Sequence, residues 1–244
     1  MGTVENKKDQ IMNIPESSRR IFIRKGLALG TLAAVTGLSL VTSCKSDSEE
    51  DISPAEDLMR EHGVLNRILL IYDTCRLHLE NNTKFPLESL NDAAQIIRSF
   101  IEEYHEKLEE NFLFPRFETA QTLTDLVTVL RAQHKAGRTI TDQIIYFSNM
   151  KIMQDEDAAR LKNLMTGFNR MYRPHEARED TVLFPAIRKI ISRNEYFSLG
   201  EDFEKKEHEL FGEDGFENMV EKVANIEKSL DIYELSEFTP DITS

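Results

Sequence analysis

Histidine and glutamate side chains recur in a repeated pattern that could bind metal ions. Segments 105–115 and 175–185 are identical at six of eleven positions. Residues four apart on an α-helix point in directions that differ by only about 40°. Each segment begins with a histidine and has a glutamate four residues later, which gives the pairs His105 with Glu109 and His175 with Glu179. Each pair therefore presents a nitrogen and a carboxylate on one helix face.

Two further histidines extend this repeat. His62 and His134 lie 72 residues apart, and each precedes one copy of the motif. The chain thus has the pattern of two helical hairpins, each carrying one histidine followed by a His-x-x-x-Glu motif. The candidate metal ligands are His62, His105, Glu109, His134, His175 and Glu179.

Apolar residues at helical spacing flank these candidates, so we expect the six side chains to face the interior of a helical bundle. Burying two carboxylates and four imidazoles there would cost several kcal/mol per unpaired charge, on the order of the penalty for isolated buried ions. Metal coordination removes that cost. Such a ligand set favours one or two ions of iron, with zinc and manganese as competitors.

The spacing argues against three other metal sites. A zinc protease motif needs His-Glu-x-x-His, but the fifth residue here is Glu109 or Glu179. A ferritin-like site uses two Glu-x-x-His motifs, and only the one that ends at His105 qualifies. Cys75 cannot supply the thiolate shell of a structural zinc site, and its position on the helix predicts a small buried apolar residue.

Helical periodicity continues from Pro54 onward, which predicts an all-α fold built on an antiparallel four-helix bundle. The expected long helices cover about 54–80, 87–115, 119–150 and 157–184. Weaker signals predict further helices at 186–193, 201–211 and 216–229, the second of them ended by Gly212. We assign the bundle to 54–193 and a helical extension to 194–244.

The first 43 residues are typical of a bacterial export signal. Arg19 and Arg20 lie in a stretch that resembles the twin-arginine consensus, and an uncharged run of 18 residues follows. This run is short and weakly apolar for a membrane span. It ends in Val-Thr-Ser-Cys, which resembles a lipobox. We therefore expect a signal peptide at 1–43, lipid on Cys44, a tether at 44–53, and a lipid-anchored protein on the periplasmic side of the cell envelope.

Composition narrows the possible partners. The chain has 30 Lys and Arg against 43 Asp and Glu, and the net charge of −13 argues against nucleic-acid binding. Because the charge would repel anionic lipid, we expect membrane association to depend on Cys44. Two cysteines in 244 residues exclude a disulfide framework.

Over roughly 55–193, these motifs resemble the hemerythrin-like, HHE cation-binding domain family. The resemblance implies a four-helix bundle that holds a non-haem di-iron centre with oxo and carboxylate bridges. By motif position it implies the six candidate ligands given above. Four histidines with two glutamates are closer to the di-iron repair proteins of nitrosative stress than to the oxygen carriers.

The sequence departs from these relatives in three places. Arg138 occupies the position of a further histidine in the oxygen carriers, which argues against reversible oxygen storage. In those carriers the last carboxylate ligand follows its histidine by five residues, which corresponds to Asp180 here. Glu179 is therefore favoured over Asp180 as the ligand only because it matches Glu109 in the repeat. The repair proteins have a cysteine-bearing N-terminal domain, for which we find no equivalent in this sequence.

Several other polar side chains near the motifs are left without a firm role. His208 is expected at the surface, and the alternative is that it serves as an additional metal ligand. Tyr104 and Tyr172 are expected to pack in the core, and the alternative is that they hydrogen-bond an oxygen species bound at the metal. Glu106, Glu110 and Glu176 are expected to be exposed, with support of the ligands as the alternative.

The leading hypothesis is an exported di-iron protein that binds or reacts with O2, NO or peroxide at open metal positions. The alternative is iron storage or delivery without turnover, and a third possibility is an envelope interaction module stabilised by metal. No catalytic side chain is assigned. The redox or iron-accepting partner is left unidentified.

Overall fold

The structure is a computed structural model that describes residues 52–242. Within that range it is all-α and contains no strand, as the helical periodicity predicts. The expected export signal and Cys44 lie outside the described residues. None of the described helices combines the length and the apolar character that a membrane crossing requires.

Four long helical segments form the bundle: α1 (Pro54–Glu80), α2 (87–119), α3 (Thr124–Ser148) and α4 (155–190). Helix α1 begins as predicted, with Pro54 in its first turn and the Ser53 hydroxyl accepting a hydrogen bond from the Glu56 N–H. Helices α1 and α3 each pack against both α2 and α4, so the four surround one core. The predicted four-helix architecture is confirmed.

Helices α2 and α4 contain π-helical turns that the sequence analysis did not predict. Helix α2 consists of Leu87–Ile96, the π-helix Ile97–His105, Glu106–Leu108, the π-helix Glu109–Leu113 and Phe114–Thr119. Helix α4 consists of Asp155–Arg178, the π-helix Glu179–Leu183 and Phe184–Ile190. A π-turn therefore begins at the glutamate of each repeated motif.

These turns explain why α2 and α4 continue past Pro115 and Phe184, where the sequence predicts that they end. The N–H of the residue before each proline bonds five residues back, to the carbonyl of Glu109 or Glu179. Each proline then lies in the first turn of the next helical segment, where its missing N–H is not needed. Both helices consequently continue past the metal motif.

Two helices follow the bundle, α5 (Arg193–Phe211) and α6 (Gly215–Ser229), and both pack against α1 and α2. Gly212 ends α5 with a φ of 81°, as predicted. The segment expected as a separate helix at 186–193 is instead the end of α4 and the start of α5. An ion pair between Arg67 and Glu227, with Nε 2.9 Å from Oε1, connects α6 to α1.

Close packing of α3 on α4 depends on a glycine. A Cβ atom at Gly137 would lie only 2.0 Å from the Tyr172 hydroxyl oxygen, so no side chain can be accommodated there without displacing that ring. Cys75 is fully buried, as predicted, and burial raises the pKa of its thiol to about 12.

Candidate metal centre

The structure brings the six predicted ligands together in the interior of the bundle. Each of the four long helices contributes one histidine, and α2 and α4 each add one glutamate. All six side chains are buried, with at most 4 % of their surface exposed. Ligand atoms lie within 4.8 Å of one another in two overlapping groups: His62, His105 and Glu109, and Glu109, His134, His175 and Glu179.

The histidines form two pairs, and the glutamates lie between the pairs. The Nε2 atoms of His134 and His175 are 3.3 Å apart, and the rings of His62 and His105 have centroids 4.7 Å apart. Glu179 Oε2 lies 3.1 Å from His175 Nε2 and 3.4 Å from His62 Nε2.

Glu109 Oε2 has the matching position, 3.4 Å from His134 Nε2 and 3.8 Å from His105 Nε2. Each carboxylate thus faces one histidine of each pair through its Oε2 atom, and its Oε1 atom is a further buried donor of the same cluster.

The donor set fits a pair of cations. Both carboxylate oxygens of Glu109 and both of Glu179 are buried without a hydrogen bond of acceptable geometry. Buried polar atoms are normally satisfied, so four such oxygens at one point call for a positive partner. Two imidazole nitrogens bound about 2.1 Å from one ion lie roughly 3.0 Å apart at an octahedral angle and roughly 3.4 Å apart at a tetrahedral angle. The 3.3 Å between His134 Nε2 and His175 Nε2 lies within that range.

Each candidate histidine points Nε2 inward and places Nδ1 against an acceptor on a neighbouring helix. Such contacts fix the orientation of a metal-binding imidazole and its tautomer. The distances are 2.7 Å for His62 to Asp180, 2.8 Å for His105 to Glu61, 3.2 Å for His134 to Glu110 and 2.9 Å for His175 to Gln133.

These four acceptors obey the same internal repeat as the ligands. Glu61 directly precedes His62, and Gln133 directly precedes His134. In the same way, Glu110 and Asp180 directly follow the glutamates of the two repeated motifs. Sequence analysis missed Glu61 and Gln133. The signal that could have found them is a hydrogen-bond acceptor at the same offset in both halves of the chain.

Two phenylalanines of the repeat also have matching roles. Phe114 stacks on His134 and Phe184 stacks on His62, each with ring centroids 5.5 Å apart. Both phenylalanines are almost fully buried. They cover the His134 and His62 rings with apolar surface.

The expectation that Glu106 and Glu176 lie at the surface is wrong. Their side chains are only 1 % and 3 % exposed. Glu106 accepts a hydrogen bond of 2.7 Å from the Tyr172 hydroxyl and lies 2.6 Å from Arg138 Nη2, while Asn66 donates to Glu176. Partners from neighbouring helices thus make burial of both carboxyl groups possible, and helix periodicity alone does not reveal them.

Arg138 supports the site from outside. Its guanidinium donates to Glu110 Oε1 at 2.8 Å as well as binding Glu106, and Glu110 is the acceptor for His134. Where the resemblance placed a further histidine in the oxygen carriers, this chain therefore has a cation that orders the surrounding carboxylates.

The geometry separates the roles of Glu179 and Asp180. Glu179 is fully buried between two imidazole nitrogens, whereas the Asp180 side chain is 34 % exposed and accepts from the outer nitrogen of His62. The ligand assignment to Glu179 stays a prediction. His208 lies in the last turn of α5 and belongs to none of the metal-ligand groups found at 52–242.

Electrostatics in the metal-free site are unfavourable. Burial, together with the neighbouring charge of Glu179, raises the pKa of Glu109 well above its usual range. Burial likewise raises the pKa of Glu61, with a further contribution from Asp57, and lowers the pKa of His105. Bound cations reverse such shifts because they favour carboxylates and neutral imidazoles.

A groove between α3 and α4 reaches His175 of the His134–His175 pair. We call it the α3–α4 groove. Its volume is about 330 Å³, and His175 and Gln133 lie among its walls. The remaining lining is mostly apolar: Leu126, Val129, Leu130, Pro174, Arg178 and Val182.

Comparison with known proteins supports these observations. The profile of the family described as Hemerythrin HHE cation binding domain matches residues 53–187. Proteins of Mycobacterium tuberculosis strain H37Rv and Mycobacterium bovis, both named only as uncharacterized, are 50 % identical over 195 residues, which cover 80 % of this chain and 76 % of theirs. No solved structure matches the chain significantly.

Proposed function

The chain belongs to the hemerythrin HHE cation-binding domain family, and from this premise we propose that it holds two iron ions between its two histidine pairs and binds or reacts with O2, NO or peroxide there. Cation binding is the family property, and iron is the metal that the family typically takes. The number of ions and the reactivity are the proposal. The observation that carries it is the cluster of four buried carboxylate oxygens on Glu109 and Glu179 that accept no hydrogen bond and lie among four imidazoles.

The donor count supports open metal positions. If each glutamate bridges, four nitrogens and four oxygens provide about four bonds per ion, and a six-coordinate iron would keep about two positions for other ligands. Iron bound there would supply the redox chemistry. The protein would hold the imidazoles through their Nδ1 contacts and shield the site through Phe114 and Phe184.

Metal analysis and gas exposure test this proposal. We expect about two irons per chain and a change in the iron absorption when protein purified under argon meets O2 or NO. A His78→Ala variant is the matched control, because His78 hydrogen-bonds Thr83 at the end of α1, away from the cluster. The iron content and the spectra of this variant should equal those of the unaltered chain. An iron absorption unaffected by both gases would contradict the proposed reactivity.

Iron storage or delivery without turnover is the second candidate. The specific observation that favours it is the α3–α4 groove, which brings solvent close to His175. Incubation with an excess of chelator separates the two functions. Retention of all iron for many hours would argue against delivery, whereas release within minutes without any gas-induced spectral change would favour it.

We also propose that the protein is exported and held at the bacterial cell envelope by lipid on Cys44. This rests on the residue pattern of 1–44 alone. In cell fractionation, a Cys44→Ser variant is expected to leave the membrane fraction and an Arg19→Lys/Arg20→Lys variant to stay in the cytoplasm. The lipid-anchor proposal would be wrong if Cys44→Ser stayed with the membrane as firmly as the unaltered chain.

A further inference from the structure

We infer that the two metal positions exchange metal at different rates, and that the position formed by His134 and His175 is the labile one. This inference rests on the proposed two-metal centre. We call the His62–His105 pair the first position and the His134–His175 pair the second position. The internal repeat gives each position two histidines, and Glu109 and Glu179 each face one histidine of both pairs. The surroundings of the two histidine pairs differ in two ways.

The first difference is the chemical group that contacts the histidine Nδ1 atom. At the first position, His105 Nδ1 contacts the carboxylate oxygen of Glu61 at 2.8 Å, and Glu61 is 1 % exposed. At the second position, the equivalent contact joins His175 Nδ1 to the amide oxygen of Gln133 at 2.9 Å. Cations bound at the neighbouring ligands favour the ionised form of Glu61, and hydrogen bonds to an ionised carboxylate are roughly twice as strong as those to a neutral amide. His105 is therefore held more firmly than His175.

The second difference is what covers each position. On the first side, Tyr104 is buried next to Glu61, and its ring packs edge-on against Phe211 of α5 at 5.4 Å. Helices α5 and α6 both pack against α1 and α2. The C-terminal extension thus closes the first position from outside.

On the second side, His175 and Gln133 line the α3–α4 groove. Val129, another lining residue, is 52 % exposed, so the groove reaches solvent. A metal ion leaves its site only after a ligand moves away and water or a chelator takes its place. The His175 ring can move into the groove, and the hydrogen bond that it breaks is to the neutral amide of Gln133. The His105 ring is held by the buried carboxylate of Glu61, and the packed Tyr104 and Phe211 rings cover this side.

Chelator kinetics on the full chain test this inference. Protein loaded with two equivalents of Zn²⁺ is mixed with an excess of a chromophoric chelator. We expect two release phases of equal amplitude whose rate constants differ roughly 10-fold or more, as follows from the stronger charged hydrogen bond and the closed cover. Zinc avoids oxidation, so the readout does not depend on any reaction of the iron protein.

Two variants assign the fast phase. Gln133→Glu places a carboxylate against His175 and should slow the fast phase several-fold while the slow phase stays unchanged. Val129→Trp partly fills the groove and should act in the same direction. Both positions are at least partly exposed, so neither change requires repacking of the core. Leu77→Trp is the matched control on an exposed site of α1, and it should alter neither phase.

Glu61→Gln assigns the slow phase and should accelerate it toward the fast one. Circular dichroism and zinc stoichiometry verify that this buried variant folds and binds two ions.

A single release phase from protein that binds two zinc ions would overturn the inference and leave the proposed two-metal centre intact. Two phases that Gln133→Glu and Val129→Trp both leave unchanged would also overturn it. Binding of fewer than two zinc ions would instead contradict the two-metal proposal itself.

Discussion

The Glu109→Gln variant is expected to bind fewer than about one metal ion per chain under conditions in which the unaltered chain binds two. Glu109 belongs to both groups of candidate ligands, so the loss of its charge affects both metal positions. Changes to groups that merely support metal ligands lower affinity about 10- to 100-fold, and loss of a bridging ligand should exceed that range.

The same substitution should stabilise the metal-free protein. Both oxygens of Glu109 are buried without a hydrogen bond, and Glu179 lies close enough to raise the pKa of Glu109 further. With this raised pKa, Glu109 must take up a proton when the metal-free chain folds at neutral pH, whereas an amide of the same shape needs no proton and can still donate to Glu179. We expect the free energy of unfolding in EDTA to rise by about 1 to 3 kcal/mol, the usual cost of an unsatisfied buried polar group.

A substitution that weakens metal binding but stabilises the metal-free protein identifies a metal ligand, because loss of a purely structural residue would destabilise the protein with and without metal. Urea unfolding with and without Zn²⁺, together with metal analysis, measures both effects. Glu103→Gln is the matched control, because Glu103 lies on the same helix and is exposed, and it should change neither quantity. A Glu109→Gln protein that still binds two ions, or one that is less stable than the unaltered chain in EDTA, would show that Glu109 is not a shared ligand.

The sequence predicts the positions of the six candidate ligands because helix geometry is local. A His-x-x-x-Glu spacing fixes which side chains share a helix face, and the repeat doubles that information. The start of α1 is predicted equally well, since Ser53 and Pro54 are a cap and a first-turn proline. Such features depend only on residues near each other in the chain.

What the sequence did not predict depends on contacts between helices. Glu106 and Glu176 are buried because Arg138, Tyr172 and Asn66 reach them from other helices. The start of α3 is similar: Leu123 has a φ of 53°, and the helix therefore begins at Thr124 rather than at 119. No residue type marks either outcome.

The π-turns are a further feature that the sequence did not predict. They arise from a shift of the backbone hydrogen bonds by one residue, and their position at both motif glutamates becomes visible only in the structure. Such turns are rare and occur frequently at functional sites. Here they allow each proline to follow the motif without ending the helix.

The metal-free protein should lose stability as the pH rises from 7 to 8.5. Burial raises the pKa of Glu106 to about 8 and that of Glu176 to about 8. Although burial opposes it, hydrogen bonds to Asp180 and Glu179 raise the pKa of His62 to about 10. In the unfolded chain, carboxyl groups lose their protons near pH 4.5 and histidine near 6.5.

The folded state therefore binds more protons than the unfolded state across this pH interval, and stability falls as those protons are lost. The carboxyl contributions disappear between about pH 4.5 and 8, and the His62 contribution between about 6.5 and 10. His105 and His134 have lowered pKa values and act in the opposite direction, but mainly below pH 6.5. We expect a net loss on the order of 3 kcal/mol between pH 7 and 8.5.

Metal binding should weaken this dependence. Ligands must be deprotonated to coordinate a cation, so metal binding removes the His62 contribution, metal affinity rises with pH, and the loaded protein should lose less stability than the metal-free protein over the same interval. Urea midpoints at pH 7, 7.8 and 8.5, in EDTA and with Zn²⁺, measure both slopes. Glu209→Gln, on the exposed surface of α5, should leave both slopes unchanged, whereas Glu176→Gln should flatten the EDTA slope. A metal-free protein that becomes more stable toward pH 8.5 would mean that these buried groups are already deprotonated at neutral pH, and that the cluster tolerates its negative charge without a cation.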